Sequence, residues 1–275
     1  MVRITAVSIL FFALIHSASL PARAASARDA ALFDALTDGG EAVVARVADD
    51  ASLVLDDGRT VKLNGVRIPR TEPWRGRVFA FLEATVAGKA VRLRFDVRKR
   101  DRYGHSLAQV VHDDGAWLQA RLVSEGLAEV ESTGDNRTVI PRLLEIEAHA
   151  RAAKTGLWAD PRYAVVSAEE IAAHPKSHLG RFGIVEGRVV SVTERSNWSF
   201  INFGADWHTD FTIAIAAGDR KVLRDDGIDL AALKGMKIRV RGWIRDWNGP
   251  LIEVTHAEQI ERLAGTETFA ETSGP

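Results

Sequence analysis

Two short stretches hold the side chains with most to offer a ligand. Positions 62 to 70 carry Lys62, Arg67 and Arg70, and positions 101 to 105 read Asp101-Arg102-Tyr103-Gly104-His105. A guanidinium presents a fork of donors, has no lone pair to accept a proton and stays charged at any working pH. Such residues suit the gripping of a phosphate, a sulfate or a polyanion without a metal, and none of them can serve as a general base. His105 is of the residue type that donates or shuttles protons. The same arginines are equally served by pairing with carboxylates such as Glu72, or by solvent. The run Arg98-Lys99-Arg100 adds positive potential, and a solvated hairpin tip accounts for it just as well.

Three other groupings are weaker. Asp206, His208 and Asp210 alternate, so on an extended strand they would share a face, and Asp and His are legitimate metal donors. The segment reads as a loop between strands instead. Trp198, Phe200, Phe203, Trp207, Trp243 and Trp247 enrich the C-terminal part in aromatics. Within Arg241-Gly242-Trp243-Ile244 the tryptophan reads as core, whereas Trp198 and Trp247 lie beside turn residues and are candidates for stacking a base or sugar. Glu147 reads as a structural partner on a helix and not as an acid catalyst.

The elements that must position these residues follow from periodicity. Residues 42–47 and 52–55 alternate as strands, and Asp57-Gly58 is a hairpin signal with 60–66 returning from it. Residues 73–86 read as a helix, with Trp74, Val78, Phe81, Leu82 and Thr85 on one face. Strands at 90–95 and 106–111 follow, then helices at 116–125 and 142–154, each closed by a glycine. Beyond a connector, residues 183–192, 199–203, 211–216, 236–244 and 251–254 read as five strands, with a helix at 229–233 before the fourth. That order predicts a small OB-type barrel. The fold class expected is therefore mainly β with α: an OB-type barrel with helices over 41–160, then a second five-stranded OB-like barrel over 178–263.

Composition sets the limits. The 275 residues, 46% of them hydrophobic, are enough for two modest cores. With 36 basic against 37 acidic residues the net charge is -1, so any basic surface must be local. The absence of cysteine removes disulfides and thiolate metal sites. Residues 1–24 read as a signal peptide: Arg3 begins it, an apolar run of roughly 12 residues follows, too short to span a bilayer, and Ala22-Arg23-Ala24 supplies the cleavage pattern. The mature chain is expected to be exported, periplasmic or secreted, with no membrane span.

From about Val43 to Trp158 the chain resembles the thermonuclease (staphylococcal nuclease) family. The resemblance rests on Lys62-Leu63-Asn64-Gly65-Val66-Arg67-Ile68-Pro69 after the hairpin and on Asp101-Arg102-Tyr103-Gly104 leading into Leu107-Ala108. It continues through Leu122-Val123-Ser124-Glu125-Gly126-Leu127-Ala128 and Glu147, and ends at Gly156-Leu157-Trp158. It implies a five-stranded OB barrel with three helices and calcium-dependent hydrolysis of DNA and RNA. Carried over position by position, it implies a damaged nuclease site. Ala51 stands where the first ligand aspartate is expected, Lys62 where the first arginine is, Arg67 where the second aspartate is and Arg70 where the base glutamate is. Ile68 takes the position of a carbonyl ligand, and His105 that of the second arginine. Ser132 and Gly134 fall where two tyrosines stack on nucleotide. A one-residue slide would bring Asp50 to the ligand position, but would turn Leu53 and Leu55 away from the core.

Calcium wants six to eight oxygen ligands, mostly anionic. Each arginine about 4 Å from the ion would oppose it by several kcal/mol at an effective dielectric near 20. The expectation is a module without cofactor or catalytic residues. Lys62, Arg67, Arg70, Arg102 and His105 would form an anion-binding patch for nucleic acid or another polyanion. Rival expectations are a nuclease or phosphodiesterase using His105 in a rebuilt site, and an envelope scaffold binding a protein partner through the second barrel.

Overall fold

A computed structural model of the chain describes residues 29–206 and 208–263; the leader predicted over 1–24 lies outside the described residues. The first unit is a closed barrel. Its strands are β1 (Thr37–Val47), β2 (Leu53–Leu55), β3 (Thr60–Leu63), β5 (Ala90–Phe95) and β6 (Ser106–His112). They close in the order β1-β2-β3-β6-β5, with β3 and β6 parallel. Alternation drives this: Leu53, Leu55, Val61, Val91 and Leu93 are buried while their neighbours face outward. Helix α1 (Trp74–Val86) covers the barrel with Trp74, Val78, Leu82 and Val86, one residue every four. Helices α2 (Leu118–Ser124) and α3 (Ile140–Ala152) pack against each other and complete the core.

The returning strand predicted over 60–66 is interrupted, and the interruption matters. At Asn64-Gly65 the chain leaves the barrel; Gly65 has φ 85° and packs against α3. The two residues of β4 (Val66–Arg67) then pair with β7 (Glu129–Val130) instead. Arg67 is thereby opposed to Glu129.

Where α2 ends, Gly126 has φ 61° and its backbone meets that of Thr155; a Cβ there would lie 2.1 Å from the Thr155 carbonyl oxygen. The Leu157 N–H donates to the Gly126 carbonyl at 2.8 Å. Gly126→Ala combines left-handed strain with a backbone clash and is expected to cost about 2 kcal/mol or more. Urea unfolding checks this, and an unchanged midpoint would refute it.

The second unit is broader than predicted. It contains β8 (Val166–Ser167), α4 (Ala168–Ala173), β9 (Phe182–Arg188), β10 (Ser191–Glu194), β11 (Trp198–Asn202) and β12 (Thr212–Ala216). Helix α5 (Asp219–Asp225), β13 (Lys237–Asp246), β14 (Pro250–Glu253) and β15 (Ile260–Arg262) follow. Instead of five strands it forms one eight-stranded sheet, ordered β10-β11-β12-β14-β13-β9-β8 with β15 also on β13. The strand predicted over 183–192 is β9 and β10 together. At the bend, the Val189 N–H bonds to Met236 on one side and the Val190 N–H to Asn202 on the other. One bent strand thus pairs with β11 through β10 and with β13 through β9, and β12 and β14 pair in parallel. The order predicted from sequence survives, with edge strands added.

The helix predicted at 229–233 is a single 3-10 turn, Ala231–Leu233, led by an Asp229 side chain that accepts from the Ala231 N–H. The helix is α5, whose DRKVLRD sequence buries only Leu223 and so carries almost no periodic signal. Among the described residues no helix is long and apolar enough to cross a membrane.

Polar side chains join the units. Arg241 of β13 is buried and donates to the Val130 carbonyl at 3.1 Å, to Glu147 of α3 at 2.8 Å and to Glu261 of β15. Arg151 of α3 grips Glu261 at 2.9 Å. Arg137 reaches Asp226 and Glu258 at 2.7 and 2.9 Å, and Ser132 meets His256 at 2.6 Å. Glu147 is the structural partner expected of it.

Candidate functional site

The second unit turns one face of the first barrel into a cleft of about 1090 Å³. The barrel supplies the loop 49–52, Lys62, Leu63, residues 66–71 and two residues of α1, Arg75 and Phe79. Arg162 and Tyr163 of the connector, with Gly180, Arg181, Phe182 and Trp243, form the opposite wall. Six basic side chains (Lys62, Arg67, Arg70, Arg75, Arg162, Arg181) stand against four acidic ones (Asp49, Asp50, Asp101, Glu131), so the lining is net positive.

Of the five residues expected to form a patch, the cleft gathers three. Lys62 lies on β3 and is tied to Asp50 by a short ion pair. Burial raises the Asp50 carboxyl, but the Lys62 ammonium and two Ser52 donors outweigh it and hold the group far below the carboxylate range. Arg67 is half-buried. Its Nε lies 3.6 Å from Glu129 Oε2, outside hydrogen-bond range, and its guanidinium sits 5.3 Å from the Phe182 ring and 5.1 Å from the Trp243 ring. Arg70 is exposed at the cleft wall, and no hydrogen bond or ion pair engages it among the described residues. Glu72, the carboxylate expected nearby, faces Arg75 at 3.9 Å.

Arg102 and His105 are not part of the lining. Arg102 stacks over Tyr103 at 4.7 Å on the exposed loop. His105 Nδ1 lies 2.9 Å from Asp101 Oδ2, and Asp101 alone of that stretch reaches the cleft. Burial raises the Asp101 carboxyl, and the hydrogen bonds from His105 and from the Tyr103 and His105 backbone bring it below its ordinary value.

The register of β1 and β2 is the unshifted one, Val47 opposite Leu53, with Leu53 and Leu55 inside. Asp50 nevertheless reaches the cleft. Ala51 takes φ 63°, and the tight loop so formed swings the Asp50 carboxylate towards Lys62. Periodicity could not reveal this, because a turn residue obeys neither strand face.

Glu129 went unnoticed in the sequence. It is buried, and burial pushes its carboxyl up to about 7 against the pull of Arg67, with Glu147 adding to the rise. Trp243, expected in the core, is 44% exposed and forms cleft wall. Its strand is bound on both edges, but its outward face meets side chains and no strand: Phe182, Arg67 and, through Nε1, Glu131 of the first unit. Trp247 is exposed as expected and packs edge-on against the half-buried Trp198 at 4.8 Å. Asp206 and His208 bond to each other at 3.1 Å in a loop while Asp210 is buried. Ser132 is half-buried and bonded to His256 of the second unit at 2.6 Å.

These donors do not suit a hard divalent cation. Such an ion needs several anionic oxygens converging on one point. In the cleft Asp50 is already neutralised by Lys62, and Ala51 offers no side-chain oxygen. Arg67 and Arg70 bring positive charge to the wall. Among the described residues no group of three or more His, Cys, Asp or Glu is placed to hold a metal. The arrangement suits an anion.

Comparison with known proteins places residues 60–160 within the model of the family described as Staphylococcal nuclease homologue. The chain is 35% identical over 121 residues to an uncharacterized endonuclease of Escherichia coli O157:H7, covering 42% of this chain and 76% of that protein. It is 27% identical over 132 residues to the thermonuclease of Staphylococcus hyicus, covering 42% of this chain and 75% of that one. An uncharacterized 38.1 kDa protein of Capnoides sempervirens is 30% identical over 143 residues, or 50% of this chain and 40% of its own length.

Proposed function

The chain belongs to the staphylococcal nuclease homologue family, and from that premise we propose that its cleft binds nucleic acid or a similar polyanion without metal and without cutting it. One observation carries this reading: Arg67 and Arg70 occupy the wall of the cleft, Arg70 with no protein partner among the described residues. Relatives named thermonuclease and endonuclease favour a phosphodiester ligand. The donor set argues against calcium chemistry, since a guanidinium can neither ligate a cation nor take a proton from water. What the cleft retains is the grip on phosphate oxygens.

Fluorescence anisotropy of labelled single-stranded DNA at two salt concentrations, with and without EDTA, tests the reading. Binding should weaken steeply with salt and ignore EDTA. Arg70→Glu reverses an exposed charge at the wall and is expected to weaken low-salt binding about tenfold or more. Absence of binding by the wild type at low salt would refute the proposal.

The His105–Asp101 contact at 2.9 Å favours one rival, a phosphodiesterase in which Asp101 orients His105 beside the cleft. Plasmid and RNA incubated with divalent ions or EDTA separate the two: cleavage that His105→Ala abolishes establishes the enzyme. Export of the chain through residues 1–24 belongs to the same proposal, and the N-terminus of the mature protein, expected just after Ala24, tests it.

A further inference from the structure

The second unit does more than wall off the cleft. Trp243 is nearly half exposed, yet its ring is fixed. Its Nε1 donates to Glu131 at 2.9 Å, the Phe182 ring meets it edge-on at 6.1 Å, and the Arg67 guanidinium lies 5.1 Å away. An indole held this way loses little freedom when something flat lies against it.

The charges beside it are arginines from both units. Arg70 and Arg75 come from the first, Arg162 from the connector and Arg181 from the approach to β9, and all four are exposed. Among the described residues Arg181 is held only by main-chain carbonyls, at 3.4 and 3.2 Å, and Arg75 by a carbonyl at 3.4 Å and a loose contact to Glu72. None of these contacts neutralises a charge closely. Arg162 is the exception, bonded through two nitrogens to Asp160.

We infer that the cleft is a groove for single-stranded nucleic acid, with one base against the indole of Trp243 and the phosphates along the arginines that both units contribute. This rests on the anion-binding reading above and narrows it. A ligand with charge alone would leave the open indole without a purpose. A duplex keeps its bases stacked on each other, so only an unpaired strand can lay a base on a protein ring while its backbone follows the cations.

The experiment uses the mature chain, labelled oligothymidine, a duplex of equal length and inorganic polyphosphate. Wild type should prefer the single strand to the duplex. Trp243→Leu should weaken oligothymidine about tenfold or more while polyphosphate affinity stays within about twofold, and Trp243→Phe should restore most of the loss. Arg181→Glu, on the surface, should weaken both ligands several-fold and serves if the leucine variant fails to fold. If a normally folded Trp243→Leu protein binds the single strand as before, or loses both ligands equally, the stacking assignment falls and the anion site stands. If Arg181→Glu leaves both affinities unchanged, the phosphate path along the second unit's arginine falls, and if wild type prefers the duplex, the single-strand assignment falls. If wild type binds neither single strand nor polyphosphate at low salt, both readings fall together.

Discussion

Arg241→Ala should destabilise the fold by about 3–5 kcal/mol, the range for removing one partner of a buried ion pair. Arg241 and Glu147 are 2% and 0% exposed, and the guanidinium answers Glu147, Glu261 and the Val130 carbonyl together. Alanine strands Glu147 in an interior that cannot hydrate it. Two contacts soften the loss. The Val130 N–H still donates to Glu147 at 2.7 Å, and Arg151 stands 3.7 Å away. Glu261 keeps Arg151.

The effect should also be directional. Val130 and Glu147 belong to the first unit and Arg241 to the second, so their loss uncouples the two. The second sheet is expected to unfold ahead of the barrel, and Phe182 and Trp243 should lose their grip on Arg67. Denaturant unfolding followed by tryptophan fluorescence and by far-UV circular dichroism reads both. A loss below about 1 kcal/mol with coincident transitions would show that the network is decorative. Replacing both Arg241 and Glu147 with apolar residues should recover part of the stability, since no charge is then left unpaired.

Glu129 and His256 oppose each other across the acid range. Burial raises Glu129 from 4.5 to about 7, so the stability tied to its proton is whole below about pH 4.5 and disappears as pH climbs through 7. For His256, burial first and then Arg137 lower the imidazole from 6.5 to about 4 against the pull of Asp226. Its contribution is whole above about pH 6.5 and disappears as pH falls through 4. Each amounts to about 3 kcal/mol at about 1.4 kcal/mol per pH unit. Between about pH 4.5 and 6.5 the two slopes cancel, and wild-type stability should be nearly level there. Glu129→Gln removes one slope. The variant should match the wild type near pH 4.5 and exceed it by about 3 kcal/mol near pH 8, less the cost of its weaker hold on Arg67. Urea midpoints across that range test it, and a constant gap between the two proteins would refute it. Protonated Glu129 also leaves Arg67 uncompensated, so polyanions should bind more tightly as pH drops below about 7.

Much of the first unit could be read from residues alone. Leu53, Leu55, Val91 and Leu93 alternate because one barrel face is dry, and Trp74, Val78 and Leu82 recur every turn because one helix face is. Glycines at 65, 126 and 156 mark places where the backbone turns left-handed. The charges of Lys62, Arg67 and Arg70 were plain in the same way, since residue type alone fixes the sign. Their neighbours were not. Asp50 reaches Lys62 only because of the Ala51 turn, and Arg67 meets Glu129 only because β4 leaves the barrel for β7. Trp243 became cleft wall and not core because its outward face is covered by no strand, a fact that depends on how two units meet. Periodicity records which side of an element is dry, since that is a local property of the chain. Which distant charge or ring comes to stand opposite a residue is settled by packing between segments far apart in sequence, and no local pattern encodes it.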